Sequence, residues 1–139
     1  LTWSYLCLDC DWIKLRGFAN RHPRDRAIHG SAVHLPLADG SIDLCIMIFV
    51  THHLRTEDLQ ASLREIARVL KKGGKLFLVD AVWNPSNLWG RFLWLMDRGC
   101  FKKSGADLKD QITRVMDIVR HKKFQILHNY EFFWCQHQS

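Results

Sequence analysis

No two of the eight glycines in this chain stand in a G-x-G spacing, and the first of them, Gly17, falls inside a helix-like segment. That excludes the glycine loops whose backbone N–H groups wrap a phosphate; Gly73-Gly74 reads as helix-ending punctuation instead. A disulfide framework is missing too. The five cysteines are odd in number and follow no framework spacing, so reduced thiols and a cytoplasmic location are expected. Cys7-x-x-Cys10 has no second CxxC to complete a zinc site, and Cys7 lies in an apolar run, so no metal site is expected. No apolar run reaches the ~20 residues that would cross a bilayer. Repeats, low-complexity tracts and linkers are also absent, which leaves a single domain over residues 1–139.

What is present is an ordinary globular composition, 47% hydrophobic and 24% charged. The net charge of +6 weakly favours anionic partners. Its basic residues are scattered or in short pairs, such as Lys71-Lys72 and Lys102-Lys103, with one cluster at Arg120-His121-Lys122-Lys123. That distribution reads as solvated surface, and a nucleic-acid partner is not expected.

Elements alternate along the chain. Residues 3–9 form a short apolar run ending in an acid, and Asp11 is placed to cap a helix over 12–20. Pro23 follows, then a short strand at 27–29. Residues 42–50 are almost continuously apolar, as a strand covered on both faces should be. Thr56 is placed to cap a helix carrying Leu59, Leu63, Ile66, Ala67 and Leu70, and 75–81 reads as another buried strand. Helices are expected over 86–97 and 106–119, and 124–136 as one long strand or a hairpin. The alternation predicts an α/β fold with a mainly parallel sheet, whose ligand sites lie at the carboxyl ends of the strands.

At those ends a resemblance emerges. Leu35-Pro36-Leu37, the acidic turn at Asp39, Ile42-Asp43, His52-His53 and Glu65-Ile66-Ala67-Arg68-Val69-Leu70-Lys71-Lys72-Gly73-Gly74 run in the order used by class I S-adenosylmethionine-dependent methyltransferases. The chain resembles their small-molecule branch from about Tyr5 to Asp80. The resemblance implies a Rossmann-like, mostly parallel sheet with helices on both faces and a C-terminal antiparallel strand or hairpin. It implies S-adenosyl-L-methionine as cofactor, with Asp9 at the ribose, Cys10 also at the cofactor, and Ser31-Ala32 at the adenine. Ser31 stands where the family usually has Asp and supplies no charge there. Met47, Ile48 and Val50 would line the pocket under the cofactor's methionine part. His53 and Asp80 are the candidates for acting on the acceptor, although a structural role competes for both.

The family's first strand and its glycine-rich turn have no counterpart here, so the resemblance implies an N-terminally truncated domain. Its flanking strands would either stand with unpaired edges or close up and pair directly. Two functions follow as expectations. One is methyl transfer to a small hydrophobic acceptor, lipid or quinone-like; the other is a non-catalytic relic or partner-binding module without a working cofactor site. Residues 84–101, rich in Trp and Leu, would supply either a lid with Arg91 and Arg98 near a membrane surface or a helix buried in the core or a dimer contact.

Overall fold

The structure is a computed structural model describing residues 4–97 and 100–137. The expected strand start at Trp3 and the expected headgroup contact of Arg98 lie outside the described residues.

The chain opens with a parallel pair. β1 (Leu6–Asp9) and β2 (Arg26–His29) are joined by helix α1 (Trp12–Arg21), and Asp9 sits opposite His29. Asp11 caps α1 as its sequence position suggests, accepting hydrogen bonds from the N–H groups of Ile13 at 2.9 Å and Lys14 at 3.2 Å.

A second crossover follows. β3 (Ile42–Ile48) leads through a 3₁₀ turn at Thr51–His53 into α2 (Thr56–Val69), and the chain returns as β4 (Leu70–Val82), parallel to β3. Leu59, Leu63, Ile66 and Val69 are all buried, which is what their three- and four-residue spacing dictates. On β4 the buried face alternates Leu76, Leu78, Asp80, Val82. Then come α3 (Leu88–Met96), α4 (Gly105–Thr113) and the hairpin of β5 (Met116–Gln125) and β6 (Asn129–His137). β6 pairs antiparallel with β4 and places Glu131, Phe133 and Cys135 on the buried side.

Among the described residues the strands form two sheets: β1-β2, and a four-stranded sheet ordered β3-β4-β6-β5. The fold is α/β with a C-terminal antiparallel hairpin, and the larger sheet is mixed in direction. β1 and β3 do not close up on one another; their sheets remain separate.

Several local expectations change. α2 ends at Val69 rather than at the glycines, because Leu70 already pairs with Ile42. Gly73 and Gly74 instead absorb an irregularity in β4, where the register jumps from Ile42–Leu70 to Leu44–Lys75. Gly73 adopts φ +74°, and a Cβ on Gly74 would lie 2.8 Å from the Lys71 carbonyl. Thr56 is the first helical residue of α2, and the cap position belongs to Arg55. The helix expected to reach Val119 stops at Thr113, because the next residues pair with β6 as a strand. β3 is not covered on both faces: Ile46 and Ile48 are about half exposed.

Candidate functional site

The site is built where β3 and β4 end. Phe49, one residue beyond β3, takes φ +56°, a left-handed conformation that a bulky side chain adopts at a cost of order 1–3 kcal/mol. Its N–H is fixed to the Val79 carbonyl at 3.0 Å and its ring packs against Tyr130. That bend delivers Thr51 and His52 onto Asp80, at the corresponding end of β4.

Asp80 is completely buried. Its Oδ2 accepts from the Thr51 N–H and the Thr51 hydroxyl, each at 2.6 Å, and from the His52 N–H at 3.3 Å. Its Oδ1 accepts from the Ala81 N–H at 2.7 Å and meets the Nδ1 of His52 in a short contact. A carboxylate only accepts, so Nδ1 carries the proton and Nε2 of His52 faces outward. There it lies 3.5 Å from Oδ2 of Asp97, the residue that ends α3. The His53 ring lies 4.0 Å from that of His52, centre to centre, and Trp94 packs edge-on against His52.

Lys103 closes the back of the site. Its ammonium donates to the Thr51 carbonyl at 3.0 Å and also to that of Leu54. Burial lowers the Lys103 pKa, and the charge of Asp80 opposes that shift. Two buried groups of opposite sign thus hold the 3₁₀ turn from both sides.

Asp80 was expected to face the substrate or to cap the next turn. It does neither, because all of its contacts point into the protein and hold the turn before His53. His53 itself is exposed beside it. Sequence reasoning missed Asp97, Lys103 and Phe49; an acid at a helix end and a lysine in a Lys-Lys pair carry no signal of their own.

The residues expected at the cofactor fall on both sheets. Asp9 is half-buried, and its Oδ1 accepts from the Asp11 N–H at 2.8 Å, so part of the carboxylate serves the turn into α1. Cys10 is exposed, with its carbonyl 2.9 Å from His29 Nε2. Ser31 is exposed and Ala32 half-buried; the Ser31 hydroxyl accepts weakly from Val33 N–H at 3.4 Å. β1 and β2 being parallel neighbours brings Asp9, Cys10, Ser31 and Ala32 to one sheet end. Met47 is buried, Val50 half-buried and Ile48 exposed at the end of β3. The available Asp9 oxygen and the exposed Ser31 hydroxyl suit the polar edge of a nucleoside, and Met47 suits an apolar part.

Polar groups gathered at the carboxyl ends of parallel strands define an α/β domain of the Rossmann-like, ligand-binding class. Residues 4–78, more than half the chain, match the family described as "Methyltransferase domain", and the chain belongs to that family. It is 35% identical over 75 residues to demethylmenaquinone methyltransferase of Corynebacterium efficiens, across 53% of this chain and 31% of that protein. It is 31% identical over 83 residues to tRNA (carboxymethyluridine(34)-5-O)-methyltransferase alkbh8 of Xenopus tropicalis, across 59% of this chain and 11% of that protein. The chain therefore spans less than a third of either curated relative. Among solved structures, geranyl diphosphate C-methyltransferase from Streptomyces coelicolor, in complex with Mg2+, geranyl diphosphate and S-adenosyl-L-homocysteine, shares the fold at a TM-score of 0.80 and 11% identity. That match covers 96% of this chain and 64% of that one.

Proposed function

We propose that this chain is part of an S-adenosylmethionine-dependent methyltransferase acting on a small hydrophobic acceptor. The methyltransfer reading is supported by family membership over residues 4–78. The choice of acceptor is carried by one observation. Leu88, Trp89, Phe92, Leu95 and Met96 of α3 are all more than half exposed, where a core or lid helix would hide them. The helix was expected to be buried at least as readily as to meet a ligand; only Gly90 and Trp94 of α3 are buried. Beside it a groove of about 780 Å³ is lined by Trp83, Leu88, Phe92 and Leu95, with Arg91 and Lys102 at its edge. Apolar walls with two cations suit a lipid or quinone-like molecule bearing a polar or anionic end, at a membrane surface or free.

Asp9, Cys10, Ser31 and Ala32 would hold the nucleoside part of the cofactor, and Met47, Ile48 and Val50 its amino-acid part. When bound, that cofactor supplies a methyl group on a sulfonium. With that chemistry supplied, the task of the chain's own residues would be to orient the acceptor toward the cofactor. For an acceptor that must lose a proton, exposed His53 is the base, held in place by the Asp80–His52 pair.

A second reading, a module without a working cofactor site, is favoured by the division of these residues between two sheets and by the uncharged Ser31. Calorimetric titration with S-adenosylhomocysteine separates the two. Saturable binding that Asp9→Ala abolishes supports the enzyme. A folded chain that binds none supports the module. Given binding, transfer of labelled methyl to a demethylated quinone and not to tRNA supports the hydrophobic acceptor, and the reverse preference removes it.

A further inference from the structure

We propose that His52, His53 and Asp97 together bind one divalent transition-metal ion, best matched by zinc(II), with Asp80 aiming the first ligand. The three side chains each offer one ligand atom, and those atoms lie within 4.8 Å of one another. Zinc holds nitrogen and oxygen ligands at about 2.0–2.2 Å, which places them roughly 3.3–3.5 Å apart in a tetrahedron. The His52 Nε2–Asp97 Oδ2 pair, at 3.5 Å, already meets that spacing. Only the exposed His53 ring has to swing inward.

The position of His52 is the strongest part of the argument. Its Nδ1–H is fixed by a fully buried carboxylate, which sets the tautomer and leaves the Nε2 lone pair pointing outward. A carboxylate behind a histidine is the usual support of a histidine metal ligand, because it orients the ring and raises its basicity. The arrangement is costly to build otherwise: Asp80 replaces an apolar residue in the alternation of β4, and Lys103 is buried beside it.

An imidazolium held between Asp80 and Asp97 would account for His52 alone. His53, the next residue in the chain, holds its ring 4.0 Å from that of His52 and so within reach of the same ion. His128, on the far side of Trp94, lies within electrostatic reach of His52 and Asp97, and its buried Nδ1 has no hydrogen-bond partner. Two nitrogens and one carboxylate oxygen form a borderline donor set that prefers zinc to iron(II) or manganese(II). Three protein ligands leave a position open for a small oxygen ligand.

The test is titration of the chelator-stripped chain with Co2+, followed by visible absorption and then by displacement with Zn2+. The expected result is one ion per chain, a nitrogen and oxygen ligand field without thiolate charge transfer, and displacement by zinc. His53→Ala and Asp97→Ala, both at exposed positions, should each weaken binding at least tenfold with unchanged circular dichroism. Asp80→Asn should weaken it by about 10–100-fold, the usual loss when the support behind a ligand is removed. Cys7→Ser should leave the cobalt affinity unchanged. Three results would overturn the proposal: no stoichiometric binding, unchanged affinity in both His53→Ala and Asp97→Ala, or a thiolate band placing the ion on the cysteines. No arm reads methyl transfer, so family membership and cofactor binding stand or fall separately; an ion held by His53 does, however, remove that residue as the base for a protonated acceptor.

Discussion

Asp80 occupies a position that the alternation of β4 reserves for apolar side chains. A bare carboxylate there would be prohibitive; five polar contacts from Thr51, His52 and Ala81 make it tenable. Its partner across the sheet, Glu131, is also buried and acidic, and is held by His121 at 2.6 Å and Lys123 at 3.1 Å. Removing Asp80 strands the donors arranged around it. Asp80→Ala should cost about 3–5 kcal/mol in urea unfolding, as breaking a buried pair generally does, and a loss below about 1 kcal/mol would show that the network carries little. The cysteines offer a second residue-level check. Burial pushes the Cys45 thiol up to about 11 and the Cys135 thiol up to about 12. Both stay protonated in mildly alkaline solution, so iodoacetamide followed by peptide mass spectrometry should find exposed Cys10 alkylated well before either. Equal labelling would mean those strands open readily.

At the scale of elements, the loop between β2 and β3 is tied to α2 by one pair. Arg68 donates to the carbonyls of Leu35 and Leu37, both at 2.9 Å, and to the carboxylates of Asp39 and Glu65. Glu65 in turn accepts from the Leu35 N–H at 2.8 Å. The Arg68 hydrogen bond first, then the Leu35 N–H, holds the Glu65 carboxyl down at about 2 against an ordinary value of 4.5. A depressed carboxylate stabilises the fold above the unfolded value, and that stability is lost as pH falls toward the folded one. The difference in urea midpoint between the parent and Glu65→Gln should therefore be constant at neutral pH and shrink below about pH 4.5, going toward pH 2. A pH-independent difference would assign the effect to packing. The sequence displayed Glu65-x-x-Arg68 as a pattern without a task; the task is visible only once the loop is seen lying across α2.

At the scale of the molecule, the division into two sheets sets the order of local stability. β1 and β2 share only four residue pairs, whereas β4 is paired from Lys75 to Val82 by β6 on one side and at Leu70 and Lys75–Val79 by β3 on the other. A two-stranded sheet is marginal without further support, and the support here comes from α1 and from Leu8 against the core. Amide hydrogen exchange should accordingly be fastest in β1 and β2 and slowest in β4 and β6. Saturating S-adenosylhomocysteine should slow β1 and β2 selectively if Asp9 and Ser31 contact it. Uniform protection across both sheets in the free chain would contradict the division.

Sequence by itself determined the order and type of most elements, since burial of one helix face or one strand face leaves a periodic trace in each segment. It also marked Asp9 and Asp80 as closing their strands, because such positions follow from local order alone. The tertiary structure decided what those positions do. Asp80 turned inward because the bend at Phe49 brings Thr51 and His52 over it, and Asp97 joined His52 because α3 ends there, 45 positions further along the chain. The helix expected to reach Val119 gave way to a strand because β6 offered it hydrogen bonds. Contacts between distant segments depend on how whole elements pack, and no local period records that.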